Sequence, residues 1–354
     1  MPFRIRRPAG GFKVMYEYAN RLNDLGYSVH ITYPLKTQFM QYRLPYWMRL
    51  ILSYIEGFRT NNWFKFNPSV TMSYVRSVKE ENLPDADVII TTWWATALEV
   101  GELSASKGKK INLIQGFEDW EGHKDLLYSS YRIQGVTNVV VASYLQEIVA
   151  SYSSNRTELI SNAVDTNQFY ISNPIETRKQ HTVCMNYSIQ PIKGSVYGLK
   201  ALYLLKDKYP DLAVDLFGIC PKPDNLPDWI SYHRSPDNLH EIYNRNSIFI
   251  SNSLTEGFGL VSVEAMSCGC ALVCTDILGH KEYAIDNKTA LLVEPENPAD
   301  MAEKVSLLIE DDSKRLRLAS EGNAFVKSFS WDEAVKKMDG LIRELIRENN
   351  QEEL

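Results

Sequence analysis

The 354-residue chain is predicted to fold as two doubly wound α/β domains, and its length, its apolar runs and its amphipathic segments all support this. A chain of this length is sufficient for two domains of roughly 100–200 residues each. Hydrophobic residues make up 44% of the sequence and charged residues 23%, which is typical of a globular protein and not of a disordered one.

The strands are predicted from eight short apolar runs. Most are rich in Val and Ile and remain apolar throughout, as parallel strands do when both faces of their sheet are covered. The runs lie at 27–33, 86–92, 110–116, 138–143, 182–188, 212–218, 247–253 and 270–275. Helical patterns lie at 12–26, before the first run, and between later runs at 143–152, 195–209 and 261–269. Because strands and helices alternate in both halves, each half is expected to hold a parallel sheet with crossover helices.

The junction between the domains is predicted in the polar, aperiodic segment 161–181. The expected domains are therefore 1–163 and 164–330, with a last helix at 331–354 packing back on the first domain. The opening of the chain is irregular, because only the run PFRIRR precedes the first glycine turn. The first strand is expected to be short, or Met1 is not the natural beginning of that domain.

Charge and cysteine usage restrict the location and the partners. The chain contains no run of about 18 apolar residues, so no transmembrane helix is expected. No apolar segment follows its basic N-terminus, so this is not expected to be a secretory signal. Its five cysteines are therefore expected to be free thiols in a reducing cytoplasm. Residues 1–80 contain 12 Lys and Arg against 4 Asp and Glu, so they carry +8 while the remaining residues carry −14. This basic quarter indicates either contact with phosphates or a membrane surface, or only a solvated basic face. No nucleic acid is expected as a partner.

Two glutamates lie in and shortly after a glycine-bearing loop at 255–260. Glu256 lies on the loop between a predicted strand and helix, and Glu264 lies eight residues later in the first turns of that helix. Glycine allows the backbone to approach a ligand, and a helix N-terminus suits a pyrophosphate. A glutamate at a helix start also complements the helix dipole, but the pair around the loop favours ligand binding.

Three further turns carry candidate residues. Lys193 follows a predicted strand and suits a phosphate, although it is also typical of an ordinary solvated lysine. Gly10-Gly11 precedes the first predicted helix and offers backbone N–H groups to phosphate or sugar. Gly279 follows the strand at 270–275, where open α/β sheets bind ligands. Nearby Glu282 is equally consistent with a binding residue and with a helix N-terminal charge.

With these turns in view, the chain resembles the retaining glycosyltransferases of family four, which have the GT-B fold of two Rossmann-like domains facing a central cleft. The resemblance covers nearly the whole chain and is strongest over 247–295. The family's E-x7-E segment is similar to SNSLTEGFGLVSVEAMSCG here, and the end of its signature region is similar to LLVEPEN. The family's passage at the domain junction is similar to SNAVDTNQF, and its opening glycine turn and first helix are similar to PAGGFKVMYEYANRLNDLG. LIQGFEDWEGH resembles a narrower subgroup in bacterial surface-polysaccharide assembly, which includes rhamnosyltransferases.

The resemblance implies roles for the matching positions. Glu256 would face the donor sugar, Glu264 the ribose, and Lys193 would neutralise the diphosphate. The base would lie near Gly218 and Arg234. Backbone groups and the second glycine turn would complete the donor site at Gly10, Gly11, Gly257, Phe258, Gly259, Leu260, Val261 and Gly279. On the acceptor side, Glu118 is a candidate, and His123 either orients a substrate or is an ordinary surface-loop histidine.

Some positions depart from the family pattern. The family has an Arg five residues before the Lys, whereas this chain has Ser188. Arg4, Arg6 and Arg7 are candidate replacements for the missing cation. The family's glycine before Val164 is Ala163 here, and the first of its paired glycines after the strand is Leu278.

The resemblance implies transfer of a sugar, with retention, from a nucleotide diphosphate sugar to a hydroxyl of a glycan or lipid-linked glycan. The expected catalysis is electrostatic stabilisation of the leaving diphosphate, without a cofactor or a bound metal. Asp85-Ala86-Asp87 is interpreted as a connecting turn, and Cys268, Cys270 and Cys274 as buried thiols, not as metal sites. The alternatives are a nucleotide-sugar 2-epimerase of GT-B fold and a catalytically idle subunit that binds a nucleotide or glycan.

A membrane contact is considered for residues 44–58. On a helix, Arg49, Ser53 and Glu56 form one narrow polar stripe on an otherwise apolar and aromatic segment. Such a helix fits either the interface of a bilayer, at the inner face of the plasma membrane or against a lipid-linked acceptor, or the buried interior of the first domain.

Overall fold

The computed structural model describes residues 1–5, 7–40, 42–57, 63–119 and 122–352. The chain divides into two compact units. Unit 1 comprises Met1–Ser161 and Ala334–Leu354, and unit 2 comprises Asn162–Glu333. Both units alternate strands with helices and contain only parallel strand pairs among the described residues. The predicted α/β class is therefore confirmed.

Unit 2 contains one parallel sheet with helices between most of its strands. Its strands are β7 (Thr182–Asn186), β8 (Ala213–Gly218), β9 (Ile230–Arg234), β10 (Ile248–Ser251), β11 (Ala271–Thr275) and β12 (Ala290–Val293). Its helices are α6 (Ser195–Lys208), α7 (Leu239–Arg245), α8 (Leu260–Ser267), α9 (Pro298–Glu310) and α10 (Asp312–Val326). Both faces of the sheet are covered, and Val183, Ile248, Ile250 and Val273 are fully buried, which explains why these runs are continuously apolar.

The strand order of this sheet is β12-β11-β10-β7-β8-β9. The chain starts in the middle at β7, proceeds outward through β8 and β9, and then returns to β10 on the other side of β7. The order therefore reverses between β7 and β10. In open parallel sheets, ligands bind outside the carboxyl ends of the strands at such a reversal.

Unit 1 has its strands in two sheets. The strands are β1 (His30–Pro34), β2 (Thr71–Val75), β3 (Val88–Thr92), β4 (Lys109–Ile114), β5 (Val136–Val140) and β6 (Thr157–Leu159). The larger sheet has the order β3-β4-β5-β6, and β1 pairs with β2 in a separate parallel ribbon. The helices are α1 (Gly10–Asp24), α2 (Tyr46–Gly57), α3 (Trp94–Gly101), α4 (Lys124–Tyr131) and α5 (Ser143–Tyr152), together with α11 (Trp331–Glu352) from Ala334 onward.

The start of the chain differs from the sequence-based expectation. Residues 1–5 form no strand, and Gly10 and Gly11 do not precede the first helix but form its first turn. Ala9 is the extended residue before that helix, and its carbonyl accepts the Lys13 N–H at 2.9 Å. A strand-to-helix glycine turn was therefore the wrong description of this segment.

The last helix contacts earlier residues of unit 1. The Tyr27 hydroxyl donates to Asp339 Oδ1 at 2.7 Å, and Arg156 Nη2 donates to Glu344 Oε2 at 2.7 Å. Apolar side chains of the helix, including Met338 and Leu345, are buried. These contacts group the C-terminal segment with unit 1, although most of unit 2 precedes it in the chain.

Candidate functional site

Two of the candidate side chains meet at the strand-order reversal of unit 2. Lys193 ends a short turn, Pro191–Lys193, that follows β7, and Glu256 lies in the loop that follows β10. Lys193 Nζ lies 2.7 Å from Glu256 Oε1. The side chains are 28% and 13% exposed, respectively, so the pair is shielded but still open to solvent. A cation and a carboxylate are thus held together where this sheet type binds ligands.

Neighbouring polar groups fix both members of the pair. Ser253 Oγ donates to Glu256 Oε1 at 2.7 Å, and Asn252 Nδ2 donates to the Lys193 carbonyl at 2.7 Å. Both residues follow β10 directly and are buried. Sequence reasoning did not single them out, although two small polar residues at the carboxyl end of an apolar strand were a usable signal.

Two glycines are required by the close packing of these loops. Gly259 has a φ of 88°, and a Cβ added there would lie 2.3 Å from the Tyr283 hydroxyl oxygen. A Cβ on Gly279 would lie 2.2 Å from the Glu256 carbonyl oxygen. Any larger residue at 279 must therefore displace the backbone that carries Glu256.

His280 is a buried residue that contacts the ends of two strands next to the site. It is fully buried, its Nδ1 lies 2.8 Å from the Thr275 carbonyl, and its Nε2 lies 3.2 Å from Ser251 Oγ. Burial lowers the pKa of this imidazole, so the neutral ring is favoured. With Nδ1 donating to the carbonyl, Nε2 is left to accept from Ser251. The neutral ring thereby connects the ends of β10 and β11.

The other donor-side candidates of unit 2 lie in the segments that follow or end its strands, whereas Gly10 and Gly11 belong to α1 of unit 1. Glu264 lies in α8 and is buried, and the Phe258 ring packs against Tyr283 and Phe329 at centroid distances of 5.6 and 5.5 Å. Gly218 and Arg234 end β8 and β9 and are register partners, and Arg234 is exposed. The other positions lie in the loop after β10 or begin α8: Gly257, Leu260 and Val261.

The arginines that the sequence offered as replacements for the missing family arginine all belong to unit 1 and not to unit 2. The Ser188 N–H donates to Ser195 Oγ at 2.9 Å, which closes the turn after β7. Of the arginines considered as replacements, Arg4 donates from Nη1 to the Tyr74 hydroxyl at 3.2 Å and Arg7 is exposed. Arg6 lies outside the described residues.

Unit 1 contains a cavity of about 580 Å³. Three of the sequence-based candidates line it: Gly11, Glu118 and His123. The remaining lining residues, which sequence reasoning missed, are Pro2, Phe3, Phe12, Phe39, Met40, Thr92, Trp93 and Gln115. Gln115 Nε2 donates to the Gly11 carbonyl and to Thr92 Oγ1, both at 3.0 Å, so it joins α1 to the end of β3. Gly11 thus lines this cavity.

The acidic turn and the cysteines that were considered as metal ligands have other contacts. Asp85 Oδ1 accepts from Lys107 Nζ at 2.8 Å. Cys268, Cys270 and Cys274 are buried, and the Cys270 thiol donates to the Tyr243 carbonyl at 3.2 Å. The described part of the chain holds no group of three or more His, Cys, Asp or Glu side chains arranged for a metal ion.

Helix α2 exposes its apolar side and turns a polar residue inward. Trp47, Ile51, Tyr54 and Ile55 form what we term the α2 surface, and they are 61%, 51%, 68% and 51% exposed. Ser53 is only 5% exposed, and the Arg49 guanidinium lies 3.5 Å from the centroid of the Tyr42 ring. Phe58 and Arg59 lie outside the described residues. Among the helices that are described, none is long and apolar enough to cross a bilayer.

Comparison with known proteins finds similarity to glycosyltransferases in unit 2. Residues 171–325 match the model of the family described as glycosyl transferases group 1. A D-inositol 3-phosphate glycosyltransferase of Corynebacterium glutamicum is 27% identical over 179 residues, which cover 46% of this chain and 43% of that protein. An uncharacterised glycosyltransferase of Methanocaldococcus jannaschii is 35% identical over 112 residues, 32% of each chain. The matched parts thus span less than half of these relatives.

Solved structures match over a longer range. The crystal structure of Anabaena HepE in complex with UDP has a TM-score of 0.74 and 14% identity, and the match covers 97% of this chain and 100% of that one. A sucrose-phosphate synthase from Thermosynechococcus elongatus has a TM-score of 0.73 and 15% identity, with 96% and 94% covered. These matches identify the fold, which is GT-B with two Rossmann-like domains.

Proposed function

We propose that this chain is a retaining glycosyltransferase that moves a sugar from a nucleotide diphosphate sugar to an acceptor hydroxyl. The observation that carries the proposal is the Lys193–Glu256 pair at the strand-order reversal of unit 2. A cation there suits the diphosphate, and an adjacent carboxylate suits sugar hydroxyls. The group 1 match of residues 171–325 and the UDP in the HepE crystal structure support a nucleotide donor.

The donor is proposed to lie along the carboxyl edge of the unit 2 sheet. Lys193 and the N-terminal turn of α8, at Phe258–Val261, hold the diphosphate, because helix N-termini present N–H groups and positive potential. Glu256 accepts from the sugar, and Glu264 accepts from the ribose. The base lies towards Gly218 and Arg234, which end adjacent strands.

The proposed reaction needs few protein groups. The bond from the sugar C1 to the diphosphate oxygen breaks, and its electron pair leaves with the diphosphate. The acceptor oxygen forms the new bond on the same face, and its proton passes to the departing phosphate oxygen. Lys193 and the α8 amides stabilise the growing negative charge, and this role requires neither a protein nucleophile nor a metal or other cofactor.

The acceptor is proposed to bind in the cavity of unit 1. The volume of about 580 Å³ lies in the range of ordinary small-molecule sites. Glu118 and His123 supply polar groups in a lining that also contains four aromatic side chains. The resemblance of LIQGFEDWEGH to surface-polysaccharide enzymes supports a glycan or lipid-linked glycan acceptor in bacterial cell-surface polysaccharide or glycolipid synthesis.

We also propose that the α2 surface attaches the protein to an anionic membrane. Four exposed apolar side chains follow one another at i, i+4, i+7 and i+8, and the exposed side chains of Lys36, Arg43 and Arg76 belong to the same basic quarter of the chain. Apolar insertion combined with anionic-lipid attraction is the usual basis of interfacial binding. The proposed location is the cytoplasmic face of the plasma membrane.

A donor screen tests the proposed function. Purified full-length protein is titrated by calorimetry with UDP, GDP, dTDP and CDP and their common sugar conjugates. The conjugate that binds is then incubated with the protein, with and without glycan acceptors, and its products are followed by NMR. We expect one nucleotide class to bind and its sugar to be transferred with retained anomeric configuration.

The Glu256→Ala variant provides the matched comparison. Unchanged transfer by this variant would refute the proposed role of the Lys193–Glu256 pair. Formation of a 2-epimer without transfer would identify the epimerase alternative. Binding of a nucleotide sugar without any turnover across the acceptor panel would identify an idle binding subunit.

A further inference from the structure

Arg178 is a buried arginine of unit 2 that makes no ion pair with any of the residues the structure describes. Only 5% of it is exposed. Its guanidinium donates six hydrogen bonds, and every acceptor is a neutral oxygen. An arginine remains protonated in proteins, and a buried charge without an opposite charge is unfavourable. The charge of Arg178 must therefore be stabilised by something other than a carboxylate.

The C-terminal ends of two helices supply this stabilisation. Arg178 Nη2 donates at 2.6 Å to the carbonyl of Cys268, which is the C-cap of α8. Arg178 Nη1 donates at 3.1 Å to the carbonyl of Asn246, which is the C-cap of α7. The C-terminus of a helix carries a negative partial charge, so a cation at this position is favourable.

The neighbouring carbonyls at the end of α8 accept from neutral groups. The backbone N–H groups of residues 269–270 donate to the carbonyls of residues 265–266, and Asn323 Nδ2 donates to the Ser267 carbonyl at 2.7 Å. Among the described donors to this end of the helix, Arg178 is therefore the charged one.

The opposite end of α8 is the place proposed for the donor diphosphate. The helix has eight residues, Leu260–Ser267, so it is about 12 Å long at a rise of 1.5 Å per residue. Arg178 offsets the negative end of the helix dipole, and the positive end near Leu260 is left without its opposite. Lys193 is itself paired with Glu256, so a further positive charge behind the helix adds to the attraction for an anion.

We infer that Arg178 is a positioning residue of the donor site, whose buried charge acts through α8 and strengthens the positive potential at the N-terminus of that helix. The inference rests on the proposed function in placing the diphosphate at this N-terminus. It goes beyond that function because it assigns part of the anion binding to a residue on the far side of the helix. The alternative is that Arg178 only caps α7 and α8 and has no effect on the donor site.

A cysteine introduced by Leu260→Cys measures this potential without any ligand, because a positive potential lowers the pKa of a thiol. The five native cysteines are buried, so a water-soluble thiol reagent reports on the introduced one. Its pKa is obtained from the pH dependence of the reaction rate in the full chain. Removal of the Arg178 charge should raise this pKa by about 0.5–1 unit, as a unit charge does at about 12 Å in a medium with a dielectric constant of about 20.

Three variants separate the charge of Arg178 from its packing. Arg178→Met removes the charge, and Arg178→Lys retains it, while both lose hydrogen bonds to the helix ends. Asn244→Asp leaves Arg178 in place and pairs it with a carboxylate, because Asn244 Oδ1 already accepts from Arg178 Nη2 at 3.1 Å. We expect Arg178→Met and Asn244→Asp to raise the pKa of the introduced thiol and Arg178→Lys to leave it unchanged. Asn244→Asp decides the question if Arg178→Met does not fold.

Ala299→Cys provides a control position for the same measurement. Ala299 is exposed in the first turn of α9, and the described hydrogen bonds of Arg178 do not reach the C-terminus of that helix. The pKa of a thiol there should be the same in all three variants. If the thiol of Leu260→Cys responds neither to Arg178→Met nor to Asn244→Asp, or responds equally to Arg178→Lys, the inference is overturned and Arg178 is only a helix cap.

Nucleotide binding gives a second readout, measured with the native Leu260 in place. For the nucleotide class found in the donor screen, Arg178→Met and Asn244→Asp should raise the Kd of the nucleoside diphosphate at least about threefold. The Kd of the corresponding nucleoside should not change, because it carries no charge. An equal loss of affinity for both ligands would indicate a structural defect and contradict the inference.

The two proposals fail in different ways. If the wild type binds no nucleotide and transfers no sugar, the proposed function fails, and the thiol titration still decides whether Arg178 acts on the end of α8. If a sugar is transferred but the thiol pKa does not depend on the Arg178 charge, the role of Arg178 is refuted and the proposed function stands.

Discussion

Lys193 Nζ and Glu256 Oε1 lie 2.7 Å apart, on loops that follow the two strands between which the order of the unit 2 sheet reverses. The two residues are 63 positions apart in the chain, and no local pattern connects them. If the proposed donor binds here, its diphosphate must compete with Glu256 for the lysine. The two side chains would then contribute differently to binding a nucleotide and binding a nucleotide sugar.

The first prediction concerns this difference. In Lys193→Met, affinity for both the nucleoside diphosphate and its sugar conjugate should fall, because the cation proposed to face the phosphates is lost. In Glu256→Gln, affinity for the sugar conjugate should fall, whereas affinity for the diphosphate alone should stay equal or rise, because Lys193 is no longer paired with a carboxylate. Calorimetry with both ligands measures the two effects, and turnover should drop roughly 100- to 1,000-fold in either variant.

A parallel loss of both affinities in Glu256→Gln would contradict this assignment. It would show that the glutamate supports the loop rather than facing the sugar. Circular dichroism melting of the two variants provides the folding control.

The second prediction concerns Gly279. An alanine Cβ there would lie 2.2 Å from the Glu256 carbonyl oxygen, so Gly279→Ala must move the glutamate loop. We expect the free energy of unfolding to fall by about 1–3 kcal/mol, as overpacking usually causes, and turnover to fall more than this loss explains.

Gly340→Ala is the matched control for that variant. Gly340 lies in α11, is exposed, and has no atom within 4 Å of an added Cβ. This substitution should stabilise the fold by about 0.5–1 kcal/mol and leave turnover unchanged. Chemical denaturation and a transfer assay on both variants make the comparison. Wild-type turnover in Gly279→Ala would show that the position of Glu256 is not critical.

Much of the fold follows from the sequence, and the strands that were missed share a cause. All eight apolar runs contain strands. The four strands that were not predicted, β2, β6, β9 and β12, all lie at the edges of their sheets. An edge strand needs less apolar surface, as polar runs such as ISYHR at Ile230–Arg234 show. The strand predicted at 27–33 begins only at His30, and the Tyr27 side chain contacts Asp339 near the far end of the chain.

The candidate site was predictable where a short local segment carries its own signal, but the contacts between distant segments were not. The loop with Glu256 and the helix with Glu264 form one continuous segment, so spacing alone revealed them. The unit 1 cavity gathers side chains from residues 2–123 through separate loops, and no periodicity connects Phe3 or Phe39 with Trp93. The sequence pointed to Gly279 but not to the adjacent His280, because the burial that gives His280 its role cannot be read from so short a segment.

The third prediction concerns membrane binding by the α2 surface. Full-length protein should sediment with vesicles containing phosphatidylglycerol and less with vesicles of phosphatidylcholine alone, and added salt should weaken the binding. Trp47→Glu and Tyr54→Glu should each reduce sedimentation strongly without lowering the melting temperature, since both side chains are mostly exposed.

Leu204→Glu is the control for these two variants. Leu204 is 49% exposed on α6 of unit 2 and receives the same change of charge. It should sediment as the wild type does. If the wild type does not sediment with either kind of vesicle, or if Leu204→Glu is as defective as Trp47→Glu, the α2 surface is not a membrane-binding surface.

The last prediction is a pH dependence of stability that depends on His280. Burial lowers the pKa of this imidazole below its ordinary value of 6.5, so the unfolded chain takes up the proton at a higher pH than the folded chain does. Stability is therefore complete above about pH 6.5 and is lost as the pH falls towards the folded pKa, with a slope of up to about 1.4 kcal/mol per pH unit. Glu256 and Asp276 oppose this lowering of the pKa, and Lys193 reinforces it.

In His280→Gln, the free energy of unfolding measured in urea should be lower at neutral pH but should fall less steeply on acidification. His30→Gln, at an exposed position in β1, should retain the wild-type slope. An equally steep slope in His280→Gln and the wild type would mean that the neutral ring does not connect the ends of β10 and β11 in the way the geometry indicates.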